Sequence, residues 1–279
     1  MKALYDVPAP AKINTFLHIV GRRPDSYHLL QSVFALLDWC DTLHFELRSG
    51  PQLSREDLLA PLPADDLCLR AARFLQEATG CTQGAHISMA KVLPAEAGLG
   101  GGSSDCASTL LALNRLWKLG LSRAQLSAIG LRLGADVPFF LFGRNAWVEG
   151  VGEQLSAIDL PPTPLVVAKP AAGVSTAALF TDPGLCRNTG LVILAGFLEA
   201  GFGFGHNDLQ PVAQMLCPPI EDAVRWLASQ GLEARMTGSG SAVFAPLTKP
   251  LDRGAVPEGL LLHTCSTLAE HPLRSWAEG

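Results

Sequence analysis

No Cys-x-x-Cys pair occurs anywhere in the chain. The cysteines number seven (Cys40, Cys68, Cys81, Cys106, Cys186, Cys217 and Cys265), an odd count scattered without pattern. That excludes a paired disulfide framework and a zinc cluster, and they read as reduced, mostly buried small hydrophobes. Long apolar runs are missing too: the greasiest segment, Leu191 to Phe204, is broken by Glu199, and nothing approaches the ~18 residues a membrane span needs. Asp6, Pro8 and Pro10 stand where a signal peptide would carry its apolar stretch, so the expectation is a soluble, cytoplasmic protein. Positive charge is scarce, with a net charge of −5 and a pI near 5.8. That argues against a broad electrostatic nucleic-acid surface. Internal repeats and low-complexity tracts are also absent.

What is present is glycine in one place. Gly98, Gly100, Gly101 and Gly102 fall within five positions and run into Ser103, Ser104 and Asp105. Backbone without side chains can turn its N–H groups inward and approach a ligand closely. From Asp105, the residues Cys106, Leu110, Leu113 and Trp117 recur at helical spacing, and Gly120 supplies a stop. A helix N-terminus offers unpaired N–H groups and the positive end of its dipole, so this junction predicts a phosphate site. Rival glycine patterns fail. A Walker A loop needs lysine where Ser103 stands, the dinucleotide fingerprint needs glycine there, and no Gly-x-Ser-x-Gly elbow surrounds it.

With 279 residues, 48% of them hydrophobic, the chain can bury a large core and is expected to form two domains. Strands are predicted at Ile13 to Val20, Val33 to Leu37, Leu43 to Leu47 and around Ile87 to Met89. The stretch from Ser49 to Asp66 reads as a polar, proline-bearing connection into a helix containing Leu69 and Leu75. A capping box at Ser122 and Gln125 opens another helix. Ala146 to Ile158 reads as a hairpin and Asp159 to Pro164 as a linker. Beyond it come a strand from Leu165 to Ala168, a helix with Ile220, Val224 and Leu227, and strands near Ala234, Ala242 and Leu260. Interleaved strands and helices in both halves give an α+β class with a cleft between the halves.

Five further spots can carry chemistry. Strand alternation puts Lys12 and Asn14 on one face and Ile13 on the other. A lysine near a terminus is ordinarily a solvated charge. Asp136, in Asp136-Val-Pro138, has the chemistry of a helix N-cap, and a cap can also be catalytic. The loop Thr237 to Ser241 either adds backbone donors to a phosphate or is a plain hairpin turn. Tyr27 and His28 offer an aromatic face and a hydrogen-bonding ring, or form a partly buried pair. His206 to Leu209 reads as a helix start capped by Asn207 or Asp208.

In chain order, PAKINTFLHIVGRRPDSYH, AGLGGGSSD, GADVPFFL, NDLQPVA and MTGSGSAVFA resemble the galactokinase, homoserine, mevalonate and phosphomevalonate (GHMP) kinase superfamily. Within it they are most similar to the branch whose acceptor is a cytidyl diphosphate polyol. The correspondence runs from Pro8 to Ala245. It implies a two-domain GHMP kinase fold: an N-terminal ATP-binding α/β domain over 1–160, of the ribosomal S5 domain 2-like kind, and a C-terminal ferredoxin-like α+β domain over 161–279. The active site would lie in the cleft between them.

The resemblance places Lys12 and Asp136 on the catalytic pair. The ATP phosphate loop falls on Pro94, Ala95, Glu96, Ala97, Gly98, Leu99, Gly100, Gly101, Gly102, Ser103 and Ser104. Acceptor contacts fall on Asn14, Tyr27, His28, Phe180 and, more weakly, Thr176, with Phe180 stacking on the base. ATP and Mg²⁺ are the implied cofactors, with no dedicated metal cluster in the protein. The implied partners are small molecules only, on a monomer or weak homodimer. The implied reaction is transfer of the γ-phosphoryl group of ATP to the 2-hydroxyl of the methylerythritol moiety, in the non-mevalonate route to isoprenoid precursors. Alternatives are a mevalonate- or homoserine-type kinase, or a silent nucleotide-binding protein on the same fold. Three departures stand out: Glu96 and Ser26 where the family has glycine, and Asp66 where it commonly has asparagine. If the Glu96 position needs positive φ, glutamate is strained there, with its charge near phosphate.

Overall fold

The computed structural model describes residues 1–252, 254 and 256–278. Two strands of unusual length start the chain, β1 (Ala3–Arg22) and β2 (His28–Arg48). They pair antiparallel over their whole length. The predicted strands at Val33 and Leu43 are thus halves of one, because nothing between them breaks the extended pattern. After β3 (Leu53–Asp57), α1 (Leu67–Thr79) leads to β4 (Gly84–Ala90). The stretch expected to be polar loop hides β3, a short edge strand that pairs parallel to β4. Asp66 caps α1 by accepting the Leu69 N–H, and Gly80 closes it in the left-handed conformation.

Three helices follow, α2 (Gly101–Leu116), α3 (Arg123–Leu131) and α4 (Val137–Phe142). The Ser122–Gln125 capping box is present in both directions. The hairpin β5 (Ala146–Glu149) and β6 (Gln154–Ala157) completes a six-stranded sheet ordered β3-β4-β2-β5-β6, with β1 on β2. A second sheet, ordered β10-β7-β9-β8, contains β7 (Pro164–Pro170), β8 (Arg235–Met236), β9 (Val243–Pro246) and β10 (Leu260–Ser266). Between β7 and β8 lie α5 (Thr176–Thr181), α6 (Leu194–Ala200), α7 (Gln210–Leu216) and α8 (Pro219–Ser229).

The β1/β2 ribbon is buried on both faces. Phe34, Leu36, Leu43 and Phe45 pack against Leu75, Leu110, Leu113 and Phe139 of the helical layer. On the opposite face Ile13, Ala35 and Leu37 meet Leu165, Val167 and Phe244 of the second sheet. Alternation separates Ile13 from Lys12 as expected, and the apolar half of that pattern joins the two lobes. The far face of the second sheet, with Val166, Ala168 and Val243, packs on Ile220 and Leu227 of α8. The chain then returns: the Leu268 N–H donates to the Leu36 carbonyl, and Leu273 and Ala277 enter the first lobe's core.

All seven cysteines are free thiols. Burial pushes the Cys106 thiol up to about 12, with Asp105 adding to the effect. Among the described residues no helix is long and apolar enough to cross a membrane.

Phe244 is 1% exposed at the junction of the lobes. Replacing it with alanine should cost about 3–5 kcal/mol of unfolding free energy, the loss seen for large-to-small changes in a packed core. Urea denaturation of Phe244→Ala checks this. A cost below about 1 kcal/mol would mean that the lobes do not depend on this apolar seam.

Candidate active site

The outer edge of β1 assembles the site. β2 satisfies one edge of the strand, and the other edge takes partners from distant parts of the chain. Lys12 N–H donates to the Leu99 carbonyl at 2.9 Å. Asn14 N–H donates to Thr237 Oγ1 at 2.8 Å. Leu17 exchanges bonds with His206 and Asp208, both at 2.9 Å, and Ile19 N–H donates to Asp208 Oδ2 at 2.6 Å. Register shifts between Pro10 and Lys12 and between Asn14 and Leu17 bracket the two polar residues, as bulges do where a side chain must be re-aimed. His206 to Leu209 does lead into α7, with Asn207 Oδ1 accepting the Leu209 N–H at 2.9 Å, and it serves β1 as well. Asp208 is spent on Ile19 and on the Thr189 hydroxyl, and Asn207 donates to the Met236 and Gly238 carbonyls.

The glycine loop hangs on that edge. The first turn of α2 begins at Gly101, five residues before the apolar stripe starts at Cys106, with Gly100 as N-cap at φ 69°. The first α-helical bond is donated by Ser104 to the Gly100 carbonyl. The N–H groups of Gly101, Gly102 and Ser103 consequently have no acceptor within the helix. Two glycines here are sterically compelled. A Cβ on Gly98 would lie 2.2 Å from the Thr237 carbonyl oxygen, and one on Gly100 would lie 2.9 Å from the Phe140 ring.

The second glycine loop is a hairpin turn between β8 and β9 that also props up the first. Ser241 N–H donates to the Glu96 carbonyl and Ala242 N–H to the Ala97 carbonyl. Glu96 does sit at positive φ, 50°, a conformation costing roughly 1–2 kcal/mol for a residue with a Cβ. Its carboxylate is turned beside Gly173 of the second lobe. Ser26 likewise occupies positive φ, 73°, in the β1–β2 turn. Asp66, besides capping α1, forms an ion pair with Arg55 at 2.5 Å, so both its oxygens are engaged.

Lys12 and Asp136 come together across the mouth of this helix end. Lys12 is 3% exposed, contrary to the ordinary expectation for a lysine near a terminus. Its Nζ lies 3.5 Å from Asp136 Oδ2 and 2.5 Å from Asn14 Oδ1, and sits over the Phe34 ring. Asp136 precedes α4 in the cap position but makes no capping hydrogen bond through its side chain. Its carboxylate, one third exposed, is left to face the lysine and the solvent-filled cleft. Asn14 also donates to Ser32 at 3.0 Å.

Two adjoining cavities, of about 360 and 490 Å³, share Leu30, Ala135, Val151 and Phe180. The first is lined by Lys12, Asn14, Gly98, Gly100, Ser103, Asp136 and Thr176. The second is lined by Tyr27 and His28. His28 stacks on Phe180 with ring centroids 5.0 Å apart, and Thr176 shares a 2.8 Å hydrogen bond with Ser239. Burial lowers the His28 pKa below the ordinary imidazole value, and the charges of Arg187 and Arg22 lower it further. Of the phosphate-loop residues, Ala97 and Leu99 point into the interlobe core and contribute backbone only. Among the described residues no cluster of His, Cys, Asp or Glu could hold a metal ion on its own.

Sequence reasoning missed Arg187 and a buried ion cluster. Lys91 Nζ lies 2.5 Å from Asp41 and 2.6 Å from Asp105. Asp41 also accepts the Val92 and Leu93 N–H groups, which fixes the entry to the glycine loop. A charge inside the apolar run of β2 was the available signal. One ammonium faces two carboxylates. Burial pushes the Asp105 carboxyl up to about 7, against the pull of Lys91 and with Asp41 adding to the rise. A carboxyl raised above its unfolded value of ~4 holds its proton more tightly in the folded state, so its contribution to stability falls as pH climbs from about 4 to about 7. Asp105→Asn should remove that slope. The melting temperature of the variant relative to wild type should therefore rise across this window, and a difference independent of pH would show that Asp105 is ionised throughout.

Similarity to known proteins agrees with this geometry. The family patterns described as GHMP kinases N terminal domain and GHMP kinases C terminal match residues 66–144 and 194–260. The 4-diphosphocytidyl-2-C-methyl-D-erythritol kinase of Acidovorax ebreus (strain TPSY) is 59% identical over 283 residues, covering 100% of both chains. A crystal structure of 4-(cytidine 5'-diphospho)-2C-methyl-D-erythritol kinase superposes with a TM-score of 0.76 at 36% identity, over 87% of this chain and 90% of that one. L. major mevalonate kinase, at 15% identity, shares the fold with a TM-score of 0.73 over 96% and 97% of the two chains. Full-length identity at this level, on a cleft with an open helix N-terminus and a buried lysine beside a carboxylate, shows that the chain belongs to the 4-diphosphocytidyl-2-C-methyl-D-erythritol kinase family of the GHMP kinases.

Proposed function

We infer that the protein is an ATP-dependent kinase acting on 4-diphosphocytidyl-2-C-methyl-D-erythritol. It transfers the γ-phosphoryl group to the 2-hydroxyl, giving the 2-phosphate and ADP, in the non-mevalonate (MEP) route to isoprenoid precursors. The observation that carries the reading is the Lys12–Asp136 pair, 3.5 Å apart, at the open N-terminus of α2. Phosphoryl transfer asks little covalent chemistry of a protein and much positioning and charge stabilisation.

In this reading the ATP phosphates rest on the loop from Pro94 to Ser104, held by the free amides of Gly101 to Ser103 and the helix dipole. Asp136 accepts the proton of the acceptor hydroxyl, which a carboxylate freed from capping and open to the cleft is placed to do. Lys12 pairs with that carboxylate and stabilises charge developing on the transferred group. Asn14 orients Lys12 through the 2.5 Å hydrogen bond between them. Mg²⁺ belongs to the same proposal. Ser103 and Asp136 line the cleft and are the hard oxygen donors that suit an ion held mainly by phosphate and water. Such an ion, when bound, would neutralise charge on the phosphate oxygens.

The cavity bounded by Tyr27, His28 and Phe180 receives the cytidyl end, with Thr176 beside it, because flat aromatic faces suit a base. Division of labour follows the two sheets, with residues 1–160 binding nucleotide and 161–279 forming the C-terminal domain, whose last turn returns to the first lobe's core. We place the enzyme in the cytoplasm, as a monomer or weak homodimer.

Asp136→Asn removes no capping bond, so the variant should fold and bind ATP while kcat falls by about 10²–10⁴. Near-normal turnover in a steady-state assay would take Asp136 out of the mechanism. Phe180→Ala should raise KM for the cytidyl acceptor about tenfold or more, the worth of a lost stacking contact, and leave KM for ATP unchanged. Equal effects on both constants would show that Phe180 is not the platform for the base.

A further inference from the structure

Behind the aromatic end of the cleft sits a cation that the chemistry above does not use. Arg187 lies in the loop after α5. Its Nη2 donates to the Phe180 and Asp182 carbonyls at 3.0 and 2.7 Å, and its Nη1 to the Leu185 carbonyl at 3.0 Å. Its Nε donates to His28 Nε2 at 3.2 Å. None of these partners is a carboxylate. Three of the four are carbonyls at or just past the C-terminal end of α5, where a cation is favoured by the helix dipole. The fourth is a histidine contributed by the other lobe.

That fourth contact has a chemical consequence. A guanidinium donates and never accepts, and it does not deprotonate in proteins. His28 Nε2 must therefore hold a lone pair, which makes the ring neutral with its proton on Nδ1. The lowered pKa of the ring, caused first by burial and then by Arg187 and Arg22, favours the same neutral form. His28 lines the 490 Å³ cavity, and among the described residues nothing accepts from its Nδ1. One arginine thus fixes both the turn that carries Phe180 and the tautomer of the ring stacked upon it at 30°.

We propose that Arg187 is a positioning residue for acceptor recognition: by holding His28 as the Nδ1–H tautomer against Phe180, it makes this end of the cleft select cytosine over uracil. The proposal rests on the reading that the acceptor carries a cytidine diphosphate. Cytosine offers lone pairs at O2 and N3, whereas uracil presents an N–H at position 3. Both bases carry an acceptor at O2, so the discrimination belongs to position 3: a donor locked opposite it is accepted by cytosine N3 and meets the N–H of uracil, and the wrong base there loses a bond and gains a repulsion. A histidine free to change tautomer would discriminate far less.

The test combines ¹⁵N NMR of the full chain with labelled histidine and steady-state kinetics on the cytidyl acceptor and its uridyl analogue. Wild type is compared with Arg187→Met and Arg187→Lys, the lysine variant retaining a cation for the α5 carbonyls without the fork that reaches His28. Wild-type His28 should be neutral and protonated on Nδ1. Both variants should lose the single tautomer, raise KM for the cytidyl acceptor about tenfold and lose about tenfold of the preference over the uridyl analogue, with kcat and KM for ATP held within about twofold. A wild-type ring protonated on Nε2 or on both nitrogens overturns the proposal without any variant. Variants that keep the wild-type base preference overturn it as well, as do variants in which kcat falls and both KM values rise together. Wild-type enzyme that ignores the cytidyl acceptor but phosphorylates another alcohol defeats the substrate assignment itself, and the fault is then visible in the parent protein rather than in the substitutions.

Discussion

The structure depends on the unpaired edge of one strand. β1 satisfies its inner edge with β2 and leaves outward-facing N–H groups at Lys12, Asn14, Leu17 and Ile19, which need acceptors because the strand is buried on both faces. The acceptors come from Leu99, Thr237, His206 and Asp208. The glycine loop, the β8–β9 hairpin and the start of α7 are each anchored by a bond to the same few residues. The strand that closes the interlobe core with Ile13 therefore also sets where Lys12 points and how near the phosphate loop may come.

Electrostatics around the cleft follow from this crowding. Charges that would be ordinary on a surface are here enclosed and shared: Lys12 between Asn14 and Asp136, Lys91 between two aspartates, Arg187 between carbonyls and a histidine. Each cation orients a neighbour that faces the cavity or the loop. In the proposed reading an acidic protein meets the phosphates mainly with amides, which carry no net charge and need no reorganisation when a ligand arrives. The strain at Glu96 is held in place by its own carbonyl, which accepts from Ser241.

Much of the site was legible in the residues because local chemistry wrote it. Clustered glycines before a serine pair announce an amide-lined helix end wherever they sit, and alternation alone separates Lys12 from Ile13. Family resemblance then brought Asp136, Tyr27, His28, Thr176 and Phe180 into one expectation, and the fold gathers them along two adjoining cavities. Less legible were β3, which is short and amphipathic inside a proline-rich stretch, and the unity of β2, whose two halves look alike only when a partner strand spans both.

Local pattern determined what could form: helix ends, strand faces, a loop without side chains and a carboxylate at a cap. Only the tertiary structure decided which of those groups kept their capacity. Asp136 is free because its cap went unused, Asp208 is committed because β1 needed an acceptor, and His28 has one tautomer because an arginine far along the chain reaches it. The reason is physical. Hydrogen-bond capacity is a property of a residue, but its saturation depends on neighbours that sequence distance does not reveal.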